Sequence, residues 1–135
     1  MSNLPHKVKR SVVLAAAPDE VWEAVTDEAL LSEWLAPEVE LEPERGGALV
    51  CRYEDGSERR GEVELIEEAE RLAFRWHRDG GAPSRVELIV DAVAAGTRLT
   101  VIESRLDPTA PAVLAASWSA PLARIRLLPG RLVLA

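Results

Sequence analysis

One cysteine, one methionine, one phenylalanine and one tyrosine stand among 135 residues. The lone Cys51 excludes an intrachain disulfide, so a cytoplasmic setting is expected, with the thiol acting as a small core hydrophobe. The two histidines, His6 and His77, lie far apart. With one cysteine they do not make a metal site, and no metal or cofactor is expected. Apolar runs are short, well below the roughly 20 residues that cross a bilayer, so no membrane insertion is expected. Met1 to Arg10 has basic residues but no apolar stretch, so no secretory signal is expected.

Positive charge is also in the minority. Lys and Arg number 16 against 23 Asp and Glu, a net charge of −7. Nucleic-acid phosphates would be repelled, so no nucleic-acid partner is expected. From Asp19 to Glu70 acidic residues outnumber basic ones by 18 to 4. Such a segment is a set of solvated faces, or an acidic rim for a basic partner. A phosphate loop is missing, because Gly46-Gly47 and Gly80-Gly81 fall in hairpins without a following helix and lysine. Ser117 lacks a nucleophile elbow, so no catalytic triad is expected.

What is present is a regular alternation of short segments. His6 to Ala16 reads as a strand. Pro18 opens a helix, with Asp19, Glu20 and Glu23 at its positive end and Val21, Trp22 and Val25 as its apolar stripe. Asp27 reads as the N-cap of a second short helix carrying Leu30, Leu31 and Trp34, which Pro37 stops. Strands follow over Glu38–Glu42, Ala48–Tyr53, Arg59–Glu67, Arg71–Arg78, Ser84–Asp91 and Thr97–Arg105. Short turns join them, which requires mostly antiparallel pairing. Alternation places Gly61, Val63 and Leu65 on one face, and Leu72, Phe74 and Trp76 on one face. It likewise turns Val86, Leu88, Leu99, Val101 and Glu103 inward, with His77 outward. Near the end, Leu114, Trp118, Leu122 and Ile125 form a helical stripe, which Pro121 should kink or end.

The pattern Ala17-Pro18-x-x-Val21-Trp22, then Trp34, Gly46-Gly47, Gly61-x-Val63, Arg71-Leu72-x-Phe74-x-Trp76, Gly96-Thr97-Arg98-Leu99-Thr100 and Ser117-Trp118 resembles the START-like (SRPBCC) helix-grip superfamily. Within it, the pattern is most similar to the branch named for the activator of heat-shock protein 90 ATPase. The resemblance runs from about Val8 to Leu128. It implies a single α+β domain over residues 1–135. A curved antiparallel sheet of about seven strands would follow that pattern, with two short helices after the first strand and a C-terminal helix over a cavity. Residues 1–6 are expected to be flexible and 127–135 an irregular tail. The chain departs from the family at its end, where Pro111, Pro121 and Pro129 divide the usual long helix.

The implied cavity makes binding of a small apolar or amphipathic ligand the leading expectation, with no catalysis assumed. Its expected contacts are Phe74, Trp76, Leu88, Val101, Glu103, Trp118 and Arg52. Glu103 is the one charged residue on an inward register. It calls for an explanation, whether a wet strand end, pairing with an arginine such as Arg52, a polar anchor or an acid/base. One alternative is a polyketide cyclase or dehydratase-like enzyme using Glu103, with Arg52 or Tyr53 beside it. Another is a co-chaperone or stress-related interaction module contacting through the acidic segment. Leu127, Leu128, Leu132, Val133 and Leu134 form an apolar tail that needs cover, so a homodimer through the C-terminal region is expected.

Overall fold

The structure, a computed structural model, describes residues 7–105 and 118–128. Its first strand, β1 (Lys7–Leu14), leads into α1 (Pro18–Thr26) and α2 (Glu28–Trp34). Six strands follow: β2 (Glu38–Leu41), β3 (Ala48–Arg52), β4 (Glu58–Glu67), β5 (Arg71–Arg78), β6 (Ser84–Val93) and β7 (Gly96–Arg105). The last described element is α3 (Ser119–Ile125). All seven strands form one antiparallel sheet in the order β1-β7-β6-β5-β4-β3-β2. The α+β helix-grip architecture implied by the sequence is therefore present. No described helix is long and apolar enough to cross a membrane.

Local chemistry explains the helical elements. Pro18 fills the first position of α1, where a missing N–H costs nothing, and the Glu20 carboxylate accepts the Ala17 N–H at 2.8 Å. Asp27 caps α2 by accepting the Leu30 N–H at 3.0 Å. The Trp34 indole donates to the Ala24 carbonyl at 2.9 Å, which locks the two helices together in the core. Arg124 of α3 donates to the Trp34 carbonyl at 3.1 Å and so ties the last helix to the second.

Three expectations are corrected here. Pro121 does not end the last helix. It sits in the first turn of α3, where the backbone N–H has no intrahelical partner to lose. Leu65 does not share the inward face with Val63. A bulge between them pairs Leu65 with Ala73 and returns Ile66, opposite Leu72, to the core side. Leu128 is buried rather than exposed, whereas Leu127 is 80% exposed. Leu114, Ser117 and the residues of the tail past Leu128 lie outside the described residues, as do residues 1–6.

The concave face of the sheet is the core. Leu72, Phe74, Val86, Leu88, Leu99 and Val101 are all buried on it. Trp118, Leu122 and Ile125 cover that face from the other side and are buried in turn. Gly61 lies opposite Trp76, and a Cβ there would collide with the backbone carbonyl of Arg75. A side chain at this position would push β4 away from the strand that carries Trp76. The opposite face is charged and paired. There Glu64 binds Arg75 at 3.1 Å and Arg85 at 2.9 Å, and Glu87 binds Arg71 at 3.0 Å.

Candidate functional site

Four strands and the start of one helix place polar side chains at one end of the concave face. The alternation that buries Leu72 and Phe74 continues through Trp76 to Arg78 on β5. On β7 it runs from Leu99 and Val101 to Glu103 and Arg105. On β4 the register sets Arg59 opposite both Cys51 and Arg78. On β6, Ser84 pairs with Trp76 on one side and Arg105 on the other. Trp118, just ahead of α3, closes over this group.

Glu103 is the centre. Its side chain is 2% exposed. The Trp76 indole donates to Oε2 at 3.0 Å, the Trp118 indole donates to Oε1 at 2.7 Å, and the Ser84 hydroxyl also donates to Oε2. A buried carboxylate is tolerable only when its lone pairs are occupied, and three of about four are occupied here. The two indoles stack, with centroids 6.0 Å apart and planes 19° from parallel. Phe74 meets Trp76 edge-on at 5.2 Å. One carboxylate thus clasps the sheet to the last helix through two aromatic rings.

Two open clefts adjoin this clasp and share Arg59, Trp76 and Arg78 in their walls. The first, of about 330 Å³, also reaches Ser84, Glu103 and Arg105. The second, of about 300 Å³, also reaches Leu35, Tyr53, Trp118 and Arg124. The Arg59 guanidinium lies 4.5 Å from the Trp76 ring centroid and 5.8 Å from that of Tyr53, and Arg78 lies 5.8 Å from Tyr53. Burial pushes the Tyr53 hydroxyl up to about 12, against the opposing pull of Arg59 and Arg78.

Of the expected site residues, the structure brings Trp76, Glu103 and Trp118 together at the clefts. Phe74, Leu88 and Val101 are packed in the core instead and do not line either cleft. Arg52 is not the partner of Glu103. It points to the other face of β3 from Cys51 and pairs with Glu40 at 2.6 Å and Glu58 at 3.0 Å. Arg59, Arg78, Arg105 and Ser84 were not singled out by the sequence. For Arg78, Arg105 and Ser84 the signal was available, since each continues an inward alternation by one further step. Arg59 becomes visible only when the β3–β4 register is known. Cys51 is buried, and burial pushes its thiol up to about 12, against the pull of nearby Arg59. Among the described residues, no group of three or more His, Cys, Asp or Glu could hold a metal ion.

A curved sheet gripping a C-terminal helix, with an aromatic clasp beside an open cleft, defines a START-like helix-grip protein. The chain belongs to the family described as Activator of Hsp90 ATPase homolog 1-like protein, which matches over residues 15–129. Among solved structures it is similar to DynU16, a putative protein in the dynemicin biosynthetic locus, at 30% identity and a TM-score of 0.82. That match covers 91% of this chain, which spans 46% of the other. A protein of Mesorhizobium loti matches at 21% identity and a TM-score of 0.84, over 93% of this chain and 97% of that one. The Aha1 dimer of Colwellia psychrerythraea matches at 15% identity and a TM-score of 0.76, over 91% of this chain and 95% of that one. No curated protein matches the chain.

Proposed function

We propose that the chain binds a small amphipathic molecule in the clefts beside Trp76 and Trp118, with Glu103 fixing the two indoles in place. The observation that carries this reading is the convergence of two open clefts on Trp76, whose indole stacks on Trp118 in the wall of the second. Aromatic walls with a few placed polar groups are what a small-molecule site requires. Similarity to a protein of a biosynthetic locus supports a small-molecule ligand. The apolar core is filled by Phe74, Leu88 and Val101, so the ligand lies at the polar mouth.

The test is native mass spectrometry of protein purified without denaturation. The reading expects a non-covalent adduct that denaturation releases. Only the bare chain mass, together with no uptake of added aromatic probes, would overturn it.

A second reading is an acid/base enzyme of the polyketide cyclase type, with Glu103 as the acid/base. The open cleft that Glu103 and Arg105 both line favours it. Against it, three donors already occupy Glu103, which leaves about one lone pair for a proton. The interaction-module reading has less support, because several carboxylates of the acidic segment are occupied by arginines. A homodimer through the C-terminal region stays a proposal, supported by the exposed Leu127. Light scattering on the full chain and on a version ending at Leu128 tests it. A cytoplasmic setting and the absence of a nucleic-acid partner are likewise proposed, from the single cysteine and the net charge of −7.

A further inference from the structure

The arginines of the cleft specify the charge of its ligand. Arg59 and Arg78 stand directly opposite each other across β4 and β5 on the concave face. Like charges in this arrangement repel. Neither forms an ion pair among the described residues. Carboxylates are not scarce, since the chain has a net charge of −7. Arg52, Arg60, Arg71, Arg75, Arg85 and Arg98 each have an acidic partner.

Arg59 and Arg78 lie over aromatic rings instead. A third guanidinium, that of Arg105, reaches the same cleft, and its Nε is buried without a hydrogen-bond partner among the described residues. The one carboxylate described in the walls of the two clefts, Glu103, is occupied by two indoles and Ser84. Arg78 acts on the Asp55 carboxyl through its charge, but no described carboxylate pairs directly with Arg59 or Arg78. Planar guanidinium groups so placed beside ring faces match a flat molecule that carries a planar oxyanion.

We propose that the ligand is a planar aromatic anion, its carboxylate or equivalent oxyanion held by Arg59 and Arg78 at the cleft wall that these arginines form with Trp76 and Tyr53. This rests on the small-molecule reading of the cleft.

The test compares 2-naphthoate with 2-naphthamide, which share a frame and differ in charge. Dissociation constants come from NMR titration of the full chain. The proposal expects 2-naphthoate to bind about tenfold more tightly. Arg59→Gln and Arg78→Gln should each remove most of that preference, while Arg60→Gln, on the opposite face, should retain it. Both glutamine variants relieve a repulsion and should stay folded, which circular dichroism checks. Equal binding of the two probes, or a preference untouched by Arg59→Gln and Arg78→Gln, overturns the anion assignment alone. Binding of neither probe overturns the anion assignment, and overturns the small-molecule reading with it where the native mass spectrum also shows only the bare chain.

Discussion

The Trp118 indole donates to the Glu103 carboxylate at 2.7 Å, and this bond joins the chain's last described helix to its last strand. The same carboxylate holds Trp76 through its other oxygen. Glu103→Gln keeps the shape but turns one acceptor into an amide donor facing an indole or hydroxyl donor. The expected result is a loss of about 2 kcal/mol, the scale of a buried donor left unpaired. Chemical denaturation measures it. An unchanged midpoint would show that Glu103 does not hold the clasp.

Trp118→Ala removes both the hydrogen bond and a buried ring that is 2% exposed. The expected destabilisation is about 3–5 kcal/mol, as for large-to-small substitution in a packed core. The effect should exceed that of Glu103→Gln. A thermal midpoint equal to the parent's would place the ring outside the core.

Cys51 should be inert in the folded protein. Burial holds its thiol up to about 12, so almost no thiolate exists near neutral pH. An aromatic disulfide reagent should leave it untouched in buffer and react with one thiol per chain once the protein is unfolded. Rapid reaction in the native state would contradict its buried position.

Tyr53 is the single tyrosine, so its titration can be followed without interference. Burial raises its hydroxyl to about 12 in the folded chain, above the usual value of about 10. The neutral form is therefore favoured by folding. Its stabilising contribution is fully present below about pH 10 and is lost as pH rises through about 12, because the unfolded chain gives up the proton first. Ultraviolet absorbance of the phenolate should show a midpoint well above that of the denatured chain. Coincident midpoints would refute the burial.

Much of the fold was legible because alternation and helix caps are local properties. Asp27, Pro18 and the inward series from Leu72 to Trp76 could each be read from a few neighbours. The bulge after Val63 was not legible, since one extra residue reverses a face without any change in composition. Pro121 was ambiguous for a similar reason. The same ring that ends a helix also starts one, and the choice depends on where the helix begins. At the site, Glu103 stood out as a charge on a buried register, but its partners did not. Indole donors from two distant elements satisfy it in place of Arg52, and that choice depends on tertiary packing. Alternation also could not separate residues that fill the core, such as Phe74 and Leu88, from those that open on the cleft. That boundary is set by where the last helix stops covering the sheet.

The central claim is that Trp76 and Trp118 form the wall of a small-molecule site. The chain has four tryptophans, all buried, and the other two, Trp22 and Trp34, do not line either cleft. Each gives its own indole N–H signal in an NMR spectrum, assignable by single Trp→Phe variants. On titration with 2-naphthoate, the account predicts shifts at Trp76 and Trp118 and none at Trp22 or Trp34. Shifts that spare Trp76 and Trp118, or no shift at any of the four, would contradict it.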